Sequence, residues 1–270
     1  MSGTNASATR LQGGAGIALV ATIALLALVS LVWTPHGGTV GNGMALAEPS
    51  ATHWLGTDHT GRDLVSALMS ATLMSLLLAW FATLVSLVVG IPLGALLAAR
   101  LGASGTRQLV LVGILPAALC LGAIFGGLRV QSTLSVFLAI GLPGAIAATV
   151  AARTIMAPVL AADYVAAARL AGLGWLGAGQ RHVVPMVLPG LVALGMELLA
   201  AAMLIEVTLS FAGLGVDGAG LSLGTMLRDG QQLAQARPLL VVAPGAVAVV
   251  TALALLIAAG GLREASRGAA

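Results

Sequence analysis

The sequence predicts an all-α membrane protein with six transmembrane helices and a helical connection on the cytoplasmic side. Of its 270 residues, 59% are hydrophobic and 8% are charged, and the mean hydropathy of +1.06 is well above that of a soluble domain. Six apolar runs approach or exceed the roughly 20 residues that a helix needs to cross the hydrocarbon core. The charged residues collect mainly between these runs, as is typical of a multi-pass membrane protein.

The first apolar run covers residues 14–33 and is predicted to be a transmembrane helix that remains in the protein. A small-residue sequence at 45–47 has the form of a signal-peptidase site, but it lies far beyond the end of the run. The run is also longer than the apolar core of an ordinary signal peptide. Residues 1–13 precede this span, and residues 34–70 connect it to the rest of the chain.

Five further spans are predicted to form a helical core over residues 71–260. Their apolar runs lie at 71–98, 109–127, 134–152, 188–209 and 239–259. A polar lead-in from Leu64 precedes the first of these runs. Within that run, the Gly-x-x-x-Gly pattern of Gly90 and Gly94 favours close helix packing, and Pro92 favours a bend.

The distribution of arginine predicts which side of the membrane each segment faces. With six alternating spans, the larger set of basic residues falls on one side: Arg10, Arg100, Arg107, Arg153, Arg169, Arg181, Arg263 and Arg267. The smaller set consists of Arg62, Arg129, Arg228 and Arg237. Because cytoplasmic loops are enriched in basic residues, the larger set marks the cytoplasmic side of a bacterial inner (plasma) membrane. Both termini, residues 1–13 and 261–270, and the connection at 153–187 are then cytoplasmic, and residues 34–70 and 210–237 are external.

The composition and the motifs exclude several classes of function. The net charge of +3 is small, so no nucleic-acid partner is expected. Cys120 is the only cysteine, so the chain forms no internal disulfide. The sequence contains no phosphate-binding Gly-x-x-x-x-Gly-Lys motif, and the Gly-x-Gly-x-x-Gly pattern at 213–218 follows a membrane span instead of a strand. We therefore expect this chain to bind no nucleotide or other cofactor.

The cytoplasmic connection contains a polar, glycine-broken stretch, residues 163–185, whose pattern predicts a helix, a break and a second helix. Small side chains at Ala166, Ala167 and Ala168 would let another protein pack closely. Four polar residues border this surface: Asp163, Arg169, Arg181 and His182. A solvated loop without a partner explains the same residues equally well, so their pattern alone leaves both interpretations open.

Two spacings in this stretch resemble the EAA loop of ABC-importer permeases. The segment AAARLAG ends at Gly172 and is followed after nine residues by HVVP, which ends at Pro185. In that family the loop forms a coupling helix that sits in a groove of the cytoplasmic ATPase. The resemblance implies this role for Asp163, Ala166, Ala167, Ala168, Arg169, Gly172, Arg181, His182 and Pro185. Ala166 replaces the family's Glu, so a charge contact at that position is not expected.

Further similarities narrow the family to a permease subunit of dipeptide, oligopeptide and nickel importers. The segment HWLGTDHTGRD at 53–63 resembles that subfamily's external motif, and shorter similarities follow at 210–215, 222–227 and 260–264. Leu223 departs from the usual Trp. The resemblance implies that the motif fixes an external loop through turns and hydrogen bonds, with Arg62 paired to one of two aspartates. Its residues are His53, Gly56, Thr57, Asp58, Gly61, Arg62 and Asp63.

Two other groups of side chains were candidates for chemistry. His53, Asp58 and His59 are metal-ligand types, but the motif already accounts for the first two, so no metal site is expected. Glu197 and Glu206 lie within the fifth span, where ionisable groups are costly and often functional. Their spacing of nine residues places them on opposite helix faces, so they form no acid–base pair. Glu206 coincides with a Glu that the family tends to carry, and a pathway or packing role is expected for it. For Glu197, a contact with a neighbouring subunit is the ordinary alternative to a functional role.

The resemblance implies a permease subunit that lines half of a pore and carries no catalytic residues. Its implied partners are a second permease chain in a heterodimer, two ATPase subunits or domains that bind ATP and Mg²⁺, an external binding protein, and membrane lipid. Dipeptides or short oligopeptides are the expected cargo, with nickel or another small solute as the alternative. A self-sufficient secondary transporter would show internal repeats with broken helices, and an intramembrane enzyme would show a His cluster or paired carboxylates. The sequence favours neither.

Overall fold

The computed structural model describes residues 3–36, 44–101, 117–118, 120–125, 133–170, 177, 179, 183–215 and 220–267. Seven α-helices are bounded in this part of the chain: α1 (Gly3–Val29), α2 (Leu64–Leu101), α3 (Thr133–Leu160), α4 (Asp163–Leu170), α5 (Val184–Phe211), α6 (Leu223–Gln231) and α7 (Leu239–Arg267). An isolated β-bridge joins Thr57 to Asp63, and no strand is found among the described residues. The all-α prediction is therefore confirmed for this part of the chain.

Four of these helices are long and apolar enough to cross a membrane. They are Leu64–Arg100 in α2, Thr133–Leu160 in α3, Val184–Phe211 in α5 and Leu239–Glu264 in α7. Each contains one predicted span and extends beyond it. The helices are longer than the predicted spans, because backbone hydrogen bonds continue a helix through polar residues such as Arg153 that lie outside an apolar run.

The first and third predicted spans differ from these four. The apolar part of α1, Gly13–Val29, is shorter, and α1 ends before the predicted limit at Trp33. Backbone N–H groups at residues 30–32 donate to carbonyls three residues earlier, which tightens the chain into turns. The third predicted span, 109–127, lies mostly outside the described residues. Its described parts, 117–118 and 120–125, are helical.

Glycines bring α2 and α3 into close contact. A Cβ atom on Gly90 would overlap the Ala148 side chain, and one on Gly94 would lie 2.6 Å from the Thr149 carbonyl oxygen. The helix interface therefore has no room for a side chain at either position. Pro92 lies between the two glycines and inside α2, which continues as one helix through it.

Two polar segments lie at opposite ends of the bundle. Where α2 begins, the segment at 44–63 lies beside α6 and the start of α7, and Arg237 Nη1 lies 3.1 Å from Glu48 Oε1. At the same end, the His36 backbone N–H donates to the Ser66 hydroxyl. We call this the loop end. Where α2 finishes, α4 packs through the buried Val165 against the ends of α2, α3 and α5. We call this the α4 end.

This arrangement separates the segments that the arginine distribution assigns to different sides of the membrane. The described residues of the segments at 34–70 and 210–237 that lie next to the start of α2 are at the loop end, whereas α4, which belongs to the predicted connection at 153–187, lies at the α4 end. That connection begins later than residue 153, because α3 continues to Leu160. Likewise, α7 continues to Arg267, so much of the predicted C-terminal tail is helical.

Candidate functional sites at the two ends of the bundle

At the loop end, Thr57 joins the segment before α2 to the segment at 44–47. Its backbone N–H donates to the Ala47 carbonyl at 3.2 Å, and its hydroxyl accepts from the Ala47 N–H at 2.8 Å and donates to the Met44 carbonyl. Gly56 has a φ of 81°, and a Cβ atom there would overlap the Ala47 carbonyl oxygen. A glycine is required at this position because the backbone is left-handed and the two segments touch.

Asp58 organises the turn that follows. Its Oδ1 accepts from the Thr60 N–H at 2.8 Å, the Thr60 hydroxyl at 2.7 Å and the Arg62 N–H at 2.9 Å. Arg62 Nε lies 3.5 Å from Asp58 Oδ2. Of the two candidate partners of Arg62, Asp58 and Asp63, it is therefore Asp58 that forms the ion pair. Gly61, with a φ of 77°, lets the backbone turn between them. Both carboxylate oxygens of Asp58 are thus engaged by residues of its own loop.

Asp63 lies immediately before α2 and is almost completely buried. Its Oδ2 accepts from the N–H and the hydroxyl of Ser66, at 2.9 and 2.8 Å, and its Oδ1 lies 3.0 Å from His53 Nδ1. Burial by itself would raise the pKa of the Asp63 carboxyl group, but hydrogen bonds from Ser66 and His53 and the nearby His36 outweigh it and lower the pKa below its usual value. Asp63 is therefore a carboxylate at neutral pH.

His36 reaches the same carboxylate from the segment that follows α1. Its Nδ1 lies 3.9 Å from Asp63 Oδ1, and its ring centroid is 4.6 Å from that of His53. Ligand atoms of His36, His53 and Asp63 all lie within 4.8 Å of one another. We call these three residues the His–His–Asp cluster. In the sequence, His53 lies close to Asp58 and His59, and no local pattern connects it to His36. Only the fold brings the Pro-His pair after α1 to this position.

At the α4 end, the structure describes part of the predicted coupling segment. α4 begins at Asp163 and buries Val165, while Asp163, Tyr164 and Ala167 are exposed. Pro185 is exposed in the first turn of α5. Ala166, Ala168 and Arg169 lie on α4, and three predicted residues lie outside the described part of the chain: Gly172, Arg181 and His182.

The two glutamates of the fifth span have different surroundings. Glu197 forms an ion pair with Arg263 of α7 within the chain. Glu206 is fully buried, and its Oε1 accepts from the Ser210 hydroxyl at 2.8 Å. Ser75 of α2 lies near this position, because its hydroxyl accepts from the Leu223 N–H at the start of α6, at 3.1 Å. Glu206 therefore lies in a polar pocket between α2, α5 and the start of α6.

Comparison with known proteins places this architecture in a family. No protein-family model matches the sequence. The chain is 30% identical over 250 residues to the nickel transport system permease protein NikC of Escherichia coli, covering 91% of this chain and 90% of that protein. It is 31% identical over 217 residues to the di/tripeptide transport system permease protein DppC of Pseudomonas aeruginosa, covering 78% and 70%.

A third relative is the probable peptide ABC transporter permease protein y4tQ of Sinorhizobium fredii, 27% identical over 224 residues, or 81% of this chain and 76% of that protein. These similarities extend over 78% to 91% of the chain. The chain therefore belongs to the family of nickel and peptide ABC transporter permeases, which are multi-pass membrane transport components without an ATPase site of their own.

Proposed function

We propose that this chain is the pore-lining subunit of an ATP-driven importer in the bacterial inner membrane, with six spans and both termini in the cytoplasm. The third span lies within residues 109–127. The chain forms the translocation pathway as a heterodimer with a second permease subunit. Two separate ATPase subunits or domains bind ATP and Mg²⁺, and an external binding protein delivers the cargo to the loop end. Family membership and the lack of a phosphate-binding motif in this sequence support this division of labour.

The observation that carries the proposal is the form of the α4 end. Val165 anchors α4 on the bundle, whereas Asp163, Tyr164 and Ala167 are exposed on the same short helix. A short helix fixed to the ends of three long helices transmits a push or a pull to all three, which is what a coupling helix must do. We therefore assign the ATPase contact to α4 and to the residues that follow it up to Pro185.

For the cargo, we propose dipeptides or short oligopeptides. The similarity to DppC and y4tQ supports this assignment, since both of those proteins are peptide permeases by name. Nickel is the second candidate, because the NikC relative matches 91% of the chain. The proposed arrangement of permease, ATPase and binding-protein subunits is the same for either cargo.

The decisive experiment is uptake in cells that lack this chain but keep its partner subunits. We expect such cells to lose uptake of a radiolabelled dipeptide and to regain it when the chain is restored, with uptake of ⁶³Ni²⁺ unchanged. Loss of nickel uptake alone would establish the second candidate. If neither uptake depends on the chain, both cargo assignments are wrong. Co-purification of an ATPase with the chain from the same membranes tests the partner arrangement separately.

A further inference from the structure

We propose that the His–His–Asp cluster at the loop end is a binding site for a first-row divalent transition-metal ion. The three residues come from two segments, since His36 follows α1 whereas His53 and Asp63 belong to the loop before α2. Neither the family motif nor the names of the related permeases assign such a site. The proposal goes beyond the proposed function, because it concerns binding by this chain whichever cargo the importer carries.

The ligand separations are close to those that a metal ion requires. Metal–nitrogen and metal–oxygen bonds to such ions are about 2.0–2.2 Å long, so neighbouring ligand atoms lie roughly 3.0–3.5 Å apart. His53 Nδ1 and Asp63 Oδ1 are already 3.0 Å apart. His36 Nδ1 is 3.9 Å from the same oxygen, and the ligand atoms of the three residues are at most 4.8 Å apart. The His36 side chain must therefore move inward by roughly an ångström to complete the site, and its exposure of 41% leaves it free to do so.

The surroundings of Asp63 orient its carboxylate toward the two imidazoles. Ser66 holds Oδ2 with two hydrogen bonds, which leaves Oδ1 to face the rings of His36 and His53. The hydroxyl of Ser66 also accepts a hydrogen bond from the His36 backbone N–H at 3.1 Å, so one residue positions two of the three ligands. Outer contacts of this kind fix ligand orientation in metal sites.

Space is available beside the cluster for the remaining ligands of a metal ion. An open cavity of about 290 Å³ is lined by Pro35, His36, Thr52, Trp54 and Asp63, which is room for several waters. Two imidazoles and one carboxylate suit Zn²⁺, Ni²⁺ or Co²⁺, whereas Mg²⁺ and Ca²⁺ prefer oxygen ligands. The chemistry of the ligands therefore selects the transition-metal class.

The simpler explanation for the contact between His53 and Asp63 is a hydrogen bond that only orders the loop. That explanation has no need for His36, whose ring nitrogen points at the same carboxylate oxygen from a different segment. When a metal binds, the proton between His53 Nδ1 and Asp63 Oδ1 leaves Nδ1, and the metal takes its place. The bound ion would then link residue 36 to the start of α2 through coordinate bonds.

The test is metal binding by the full chain, purified in detergent with an affinity tag that contains no histidine. Equilibrium dialysis against Zn²⁺ and, separately, Ni²⁺ is expected to give about one ion per chain, with no binding of Mg²⁺. His36→Gln removes a ligand but retains the backbone N–H that bonds Ser66, so it should fold and bind at least about tenfold more weakly. His59→Gln is the matched control, since His59 is an exposed histidine of the same loop. This variant should bind the metal as tightly as the wild type.

His53→Gln provides a second ligand variant, so that a folding defect in one variant leaves the proposal testable. Saturating Zn²⁺ is expected to raise the thermal unfolding temperature of the wild type and of His59→Gln, and to do so much less for His36→Gln and His53→Gln. The proposal is overturned if the wild type binds neither metal. It is equally overturned if both ligand variants bind as tightly as the wild type, or if His59→Gln loses binding to the same extent.

Discussion

Arg263 on α7 and Glu197 on α5 form a two-point ion pair, in which Nη1 meets Oε1 and Nη2 meets Oε2. Both side chains are partly buried, at 27% and 19% exposure. This geometry suits the planar guanidinium group, which binds a carboxylate through two parallel hydrogen bonds. The pair therefore fastens the last helix to the fifth predicted span.

We expect Arg263→Ala to destabilise the chain by about 1–2 kcal/mol, because it leaves Glu197 as a partly buried charge without this partner. The loss should fall below the roughly 3–5 kcal/mol typical of a fully buried pair, since solvent screens the remaining charge. Thermal unfolding of the purified chain in detergent measures it. Glu264→Gln, at the exposed neighbouring position, is the control and should change little. Equal stability of Arg263→Ala and wild type would mean that the pair contributes nothing to folding.

Glu197 also shows what sequence reasoning predicts and what it misses. The apolar runs located the four long helices because burial in lipid acts on local composition, which the sequence displays directly. The partner of Glu197 lies on another helix, and no local pattern specifies a pairing between helices. The His–His–Asp cluster was missed for the same reason, since His36 reaches Asp63 only through the path of the chain after α1.

The glycines of α2 provide a second prediction about packing. Gly90→Ala should destabilise the α2–α3 interface by about 1–3 kcal/mol, because its Cβ atom would overlap the Ala148 side chain and force the helices apart. Gly260→Ala in α7 is the matched control, since a Cβ atom there meets nothing within 4 Å. That substitution should be neutral or stabilising, because alanine favours helix by about 1 kcal/mol. Unfolding temperatures in detergent distinguish the two, and a destabilising effect at Gly260 alone would contradict the packing argument.

Asp63 should make the stability of the folded chain depend on pH in the acid range. Its pKa is lowered in the folded chain, so the ionised group stabilises the fold above the unfolded pKa of about 3.9. That contribution should disappear as pH falls from about 4 through the folded pKa. The stability difference between wild type and Asp63→Asn is therefore expected to shrink between pH 5 and pH 3, a range below the ordinary titration of histidine. Unfolding should be followed with a chelator present. If the stability difference between the wild type and Asp63→Asn stays constant down to pH 3, the packing of the Asp63 side chain, not its charge, stabilises the fold.

The α4 end gives the prediction that bears most directly on function. Ala167 is exposed, whereas Val165 on the same helix is buried against α2, α3 and α5. A substitution at Ala167 therefore changes what α4 presents to a partner without changing how α4 is anchored. We expect Ala167→Glu to leave the unfolding temperature of the chain unchanged but to abolish co-purification of the ATPase and uptake together, because a bulky charge would be buried in a close interface.

Two variants separate this effect from a loss of folding. Ala167→Ser adds only a small hydroxyl group and should retain ATPase binding and uptake. Val165→Asp places a charge in the packing beneath α4, so it should lower stability and ATPase binding at once. A solvated loop tolerates a glutamate at an exposed position, so normal ATPase binding and uptake by Ala167→Glu would refute the coupling role of α4. Loss of binding in Ala167→Glu with retention in Ala167→Ser requires that the surface around Ala167 be an interface, because the two variants differ only in the size and charge of one exposed side chain.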